Sequence, residues 1–144
     1  MSEKFDTRAN AVYNKMMEHD HFSKWMGIEL QEISEGYCRL KMTVQEDMLN
    51  GFGILHGGVT FSFADSAFAF ASNSYGRLSV SLNASMTYSK SAKRADILIA
   101  EAKKITLGSR TATFDVEVTN ESSAELIALF RGTVFRTEQQ HLDT

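Results

Sequence analysis

The sequence predicts an α+β fold in which one antiparallel sheet curls around a single long helix, with a short helix at the N-terminus. Three observations carry this expectation. Residues 57–74 are apolar around most of a helical circumference, and such a helix must be surrounded by protein. Strand-like segments flank it, two before and four after. The segments are separated by tight turns, which favours antiparallel over parallel pairing.

Taken in order, Ala9, Val12, Tyr13, Met16 and Met17 recur at helical spacing and predict an amphipathic helix over about residues 7–20. Phe22, Trp25 and Met26 follow as a short apolar turn stopped near Gly27. Residues 28–33 are strand-like in part, with a turn at Ser34-Glu35-Gly36. From Tyr37 to Val44, Tyr, Arg, Lys and Thr alternate with Cys, Leu, Met and Val, so the two strands form a hairpin. The long helix starts at Gly57 and ends near Ser74, with Gly76 as its C-terminal stop. Strands are then expected at about 78–88, 96–106, 109–119 and 124–136, with turns at Leu107-Gly108-Ser109 and at residues 120–123. Thr111, Thr113, Asp115, Glu117 and Thr119 alternate with Ala112, Phe114, Val116 and Val118, the pattern of a strand with one wet face.

The chain has 144 residues, 43% hydrophobic and 23% charged, values of a globular domain rather than a disordered one. One domain spanning 1–144 is expected, its ordered core about residues 7–137. It has no proline, which excludes PxxP ligands and cis-proline turns, and one cysteine, which excludes an internal disulfide and a thiolate zinc site. A net charge of -3 gives no case for nucleic-acid binding. The first six residues are polar and mixed in sign, unlike a leader, and the apolar stretch from Val59 to Ala71 is too short to cross a bilayer. A cytoplasmic location without membrane contact is expected.

Two features carry chemistry. Gly57-Gly58 opens the long helix, where unpaired N–H groups and the positive dipole end can polarise a carbonyl, although the glycines also serve a sharp, tightly packed entry. Asp65 lies mid-helix among Phe63, Ala64, Ala67 and Phe68. A carboxylate there is hydrogen-bonded to Ser62, Ser66 or backbone, or it faces a desolvated cavity as a base or nucleophile. Gly58 and Asp65 share a face but stand roughly 10 Å apart along the axis. A symmetric dimer with antiparallel central helices would bring the glycines of one chain to Asp65 of the other.

Asn50-Gly51, His56-Gly57-Gly58 and the run Phe61 to Ala69, with Ala71-Ser72-Asn73-Ser74, Phe114 to Val118 and Ala128 to Gly132, resemble the hot-dog-fold thioesterases, within them the phenylacetic-acid-degradation (PaaI) type. The similarity covers about residues 20–136. It implies hydrolysis of acyl- or aryl-acetyl-CoA to a free acid and CoA, by dimers that pair into tetramers, with no metal or other cofactor. By position, Asp65 would activate water or attack the thioester carbon. Gly57 N–H, with Gly58 beside it, would meet the thioester carbonyl from the partner subunit; Asn50 adds a polar contact and His56 positions the loop. Ser81 matches a hydroxyl that holds the attacking water, with Asn83 and Ser85 as neighbours able to serve instead. Many relatives carry a proline where this chain has Tyr88 to Arg94; here Lys90, Lys93 and Arg94 either bind CoA phosphates or form a solvated basic loop. Two other readings compete: a hot-dog dehydratase or hydratase using His56 with Asp65, and a non-catalytic acyl-CoA-binding module.

Elsewhere, His19-Asp20-His21 reads as a solvated helix end rather than a metal site, and Cys38 as a packed thiol on a buried strand face. Phe61, Phe63, Phe68 and Phe70 read as core, some of them lining an acyl pocket.

Overall fold

The computed structural model describes residues 4–143. Asp6 accepts the Ala9 N–H at 2.9 Å and starts helix α1, Thr7–Met17. The first helix ends three residues before the expected stop, because Asp20 captures the Ser23 N–H at 3.0 Å and starts a second helix, α2, His21–Met26. The expected apolar turn is thus a helical turn, closed by Gly27 at φ 69°, a left-handed conformation that glycine adopts without steric cost. Met26 is buried, whereas Phe22 and Trp25 remain about half exposed and meet edge to face, centroids 5.6 Å apart.

Strands β1, Glu29–Ser34, and β2, Tyr37–Thr43, form the expected hairpin. After a single 3₁₀ turn, helix α3 spans Gly57–Asn73. Strands β3, Arg77–Tyr88, β4, Ile97–Leu107, β5, Thr111–Asn120, and β6, Leu126–Gln140, complete one antiparallel sheet in the order β1-β2-β4-β5-β6-β3. The last strand runs four residues beyond its expected end. The sheet wraps α3, and Phe63, Phe68 and Phe70 are sealed against Leu40, Leu98, Phe114 and Phe130. Cys38 is fully buried, and desolvation pushes its thiol far above the ordinary range. No helix among the described residues is long and apolar enough to cross a membrane.

The tightest contact between helix and sheet is at Gly132 on β6. A Cβ there would lie 2.7 Å from Cζ of Phe68, whose ring is also packed 5.3 Å from Phe130 and 6.0 Å from Phe114. The ring has no room to retreat. Gly132→Ala is expected to cost about 1–3 kcal/mol through overpacking, seen as a Tm loss of several degrees by calorimetry.

The pairing also leaves β3 at the sheet edge. Val80 and Leu82 on it are 47% and 58% exposed, and no strand among the described residues pairs with its outer side, although near its start Asn73 already takes the Ser79 N–H at 2.8 Å and donates to the Ser79 carbonyl at 3.3 Å.

Candidate active site

The entry to α3 is built by short local bonds. Asn50 Oδ1 accepts the N–H groups of Phe52 at 2.9 Å and Ile54 at 3.4 Å, so its carbonyl end folds the loop, and its amide nitrogen has no acceptor among the described residues. His56 then caps the helix: its Nδ1 accepts the Gly58 N–H at 2.9 Å, which requires the imidazole proton to sit on Nε2. The neighbouring Gly57 N–H has no acceptor among the described residues. Gly57 lines a cleft of about 330 Å³ together with Asn50, Thr60, Tyr88 and Lys90. This cleft offers a free N–H at the positive end of a 17-residue helix, suited to a carbonyl oxygen gaining charge.

Asp65 opens into a different cleft, about 300 Å³, walled by Asp20, Phe22, Ser23, Ser62, Ser66 and Ala69. Both neighbouring hydroxyls are spent elsewhere. Ser62 Oγ donates to the Gly58 carbonyl at 2.8 Å, and Ser66 Oγ pairs with Ser23 Oγ at 2.9 Å. The Asp65 carboxylate therefore has no hydrogen-bond partner among the described residues. Burial, and then the negative charge of Asp20, push its pKa above the usual carboxylate range. A half-buried, unpartnered carboxylate with raised basicity is equipped to take a proton.

The two clefts share no lining residue. Gly57 and Asp65, eight positions apart, stand about 12 Å apart along one helix. One chain thus brings Asn50, Gly57 and Lys90 together and holds Asp65 apart. Ser81 lies on the open edge strand opposite Val134, so both side chains point to the inner face of the sheet, and it lines neither cleft. Gly58 is exposed at the helix entry. Of the three cations, Lys90 pairs with Glu125 and Arg94 with Glu46 at 3.8 Å, whereas Lys93 lines an adjoining hollow beside Lys90. His19 and His21 flank Asp20, the residue that reaches the Asp65 cleft; among the described residues no group of three or more His, Cys, Asp or Glu could hold a metal ion.

Two groups escaped the sequence reading. Tyr88 closes the Gly57 cleft, its hydroxyl donating to the Gly57 carbonyl at 2.8 Å. At the other end of β3, Arg77, Arg110 and Arg136 converge on a hollow of about 780 Å³, and none of them pairs with a carboxylate among the described residues. The arginines are 33 and 26 positions apart in the chain, and no local pattern announces them.

The chain is similar in sequence and fold to known proteins. The chain is 37% identical to the acyl-coenzyme A thioesterase PaaI of Escherichia coli over 92% of its own length and 91% of that protein. It is 30% identical to human acyl-coenzyme A thioesterase 13, over 85% of this chain and 89% of the other. The solved structure of E. coli PaaI, from the phenylacetic acid degradation operon, superposes with a TM-score of 0.89 at 34% identity, covering 92% of this chain and 96% of that one. Residues 52–127, which hold both Gly57 and Asp65, match the thioesterase superfamily. The hot-dog architecture and these matches agree, and the chain belongs to the thioesterase superfamily.

Proposed function

We propose that the protein hydrolyses acyl-CoA thioesters, including aryl-acetyl-CoA, as a dimer in which each site draws on both chains. The observation that carries this reading is the division of labour along α3: a free N–H donor at its start and an unpartnered basic carboxylate two turns later, in separate clefts. Antiparallel pairing of β3 with the same strand of a second copy would extend the sheet, cover Val80 and Leu82, and lay two α3 helices side by side in opposite directions. The Gly57 end of one then faces the Asp65 cleft of the other.

In that site, Asp65 takes a proton from water, and the resulting hydroxide attacks the thioester carbon. Charge moves onto the carbonyl oxygen, which accepts the partner's Gly57 N–H, while the leftover Asn50 amide adds a polar contact. Collapse of the tetrahedral intermediate breaks the C–S bond, and the departing CoA sulfur receives the proton from Asp65. Ser81, on the inner face of the paired strand, holds the water. His56 contributes by capping; with its Nδ1 committed to Gly58, it is ill placed for the proton transfers of a dehydratase.

The same pairing carries the Arg77 end of one β3 to the Tyr88 end of its partner. Arg110 and Arg136 thereby join Lys90 and Lys93 in receiving CoA phosphates, for which planar guanidinium groups are well suited. Arg110→Ala is expected to raise the KM for acyl-CoA about tenfold and to leave kcat within twofold, as fits a contact made equally in ground and transition states. The reading as a whole is tested by thiol release across a panel of acyl-CoAs. Tight acyl-CoA binding in calorimetry without any thiol release would instead identify a binding module.

A further inference from the structure

The peptide unit joining Gly57 and Gly58 is held at both of its polar atoms. Its N–H, from Gly58, is accepted by His56 Nδ1 at 2.9 Å, and its carbonyl, from Gly57, accepts the Tyr88 hydroxyl at 2.8 Å. Two consecutive glycines at a helix start are the least self-ordering sequence available, because neither has a Cβ to restrict φ and ψ. A donor that stabilises charge must nonetheless be held to within about half an ångström before the reaction. Clamping this peptide plane fixes the direction of the preceding N–H, the one left free at Gly57.

Tyr88 is itself well anchored. It is the last residue of β3, paired with Ala128, and the two residues after it donate backbone N–H groups to the Ile127 carbonyl at 2.8 and 3.2 Å. Its ring lies so close that a Cβ on Gly57 would meet Cζ at 3.3 Å. A side chain at residue 57 would thus push the Tyr88 ring aside by a few tenths of an ångström, and the contact joins the edge strand to the helix entry across 31 positions of sequence.

We propose that Tyr88 is a positioning residue for thioester hydrolysis, aiming the Gly57 N–H by holding the Gly57 carbonyl opposite the His56 cap. The inference rests on the thioesterase reading above. Because the clamp acts on the donor rather than on substrate affinity, its loss should appear in kcat. Tyr88→Phe keeps the ring and removes only the hydroxyl; it is expected to lower kcat about fivefold to tenfold, the scale of one lost hydrogen bond, with KM and Tm unchanged. Tyr88→Ala should lower kcat further, with the Phe variant standing between it and the wild type. In a cycle with His56→Ala, the double variant should lose less than the product of the single losses, since both residues hold one peptide.

Wild-type kcat in Tyr88→Phe, a loss confined to KM, or strictly multiplicative losses with His56→Ala would overturn the proposal. If the wild-type protein releases thiol, Asp65→Asn does not, and Tyr88→Phe matches the wild type, this inference alone fails. If Asp65→Asn is fully active, the thioesterase mechanism itself fails.

Discussion

Asp65→Asn should fall in turnover by about 100- to 10,000-fold, the range expected when a positioned general base is removed, and should at the same time melt at a higher temperature than the wild type at neutral pH. Both effects have one origin. The carboxylate is half buried without a hydrogen-bond partner, and Asp20 adds like charge, so folding raises its pKa above the unfolded value. A carboxyl group whose pKa is raised by folding binds its proton more tightly in the native state, so its effect on stability is neutral below the unfolded pKa and unfavourable once the pH passes the folded one. Asparagine keeps the shape and carries no charge, and so removes that cost together with the base. The activity of the wild type should rise with pH along an acid limb set above the ordinary carboxylate pKa of 3.8, and Asp20→Asn should move that limb to lower pH. Calorimetry and thiol release on the same preparations check all of this. An Asp65→Asn protein that hydrolyses every acyl-CoA as well as the wild type would sink the assignment.

Reversing the character of the open edge should be equally severe. Val80→Glu with Leu82→Glu puts two carboxylates on a strand edge that the proposed dimer buries against its own copy. Like charges would then face one another across the two-fold axis, at a cost of several kcal/mol. Light scattering should show the wild type as a dimer or a multiple of it and the double variant as a monomer. The monomer should retain its circular dichroism, because both residues are solvent-facing in the single chain. Its turnover should drop by at least about 100-fold, since Gly57 and Asp65 then remain in separate clefts roughly 12 Å apart. A monomer with full activity would mean that one chain supplies a complete site.

What the sequence made legible was whatever depends on near neighbours. The length of α3 follows from residues three and four apart, and the wet and dry faces of β5 from residues two apart. Asp65 stood out because a carboxylate among Phe63, Ala64, Ala67 and Phe68 violates the local pattern. The break between α1 and α2 was hidden because it depends on one side chain, Asp20, choosing the Ser23 N–H, and because Phe22 and Trp25 look like core although both remain half exposed. The position of β3 beside β6, rather than beside β4, follows from how the sheet closes round the helix and leaves no mark in periodicity. The contacts that shape the two clefts span long stretches of chain: Ser23 to Ser66 over 43 positions and Tyr88 to Gly57 over 31. Such pairs are decided by packing, so a scan for motifs finds one partner at most.

Trp25 is the single tryptophan of the chain, and it stands edge-on to Phe22, which forms a wall of the Asp65 cleft. All indole fluorescence therefore originates beside the cleft into which Asp65 opens, from a ring that is 46% exposed. An acyl group entering the cleft would displace water from that ring and shift its emission to the blue. Trp25 emission is therefore expected to follow acyl-CoA arrival in the Asp65→Asn variant without any label.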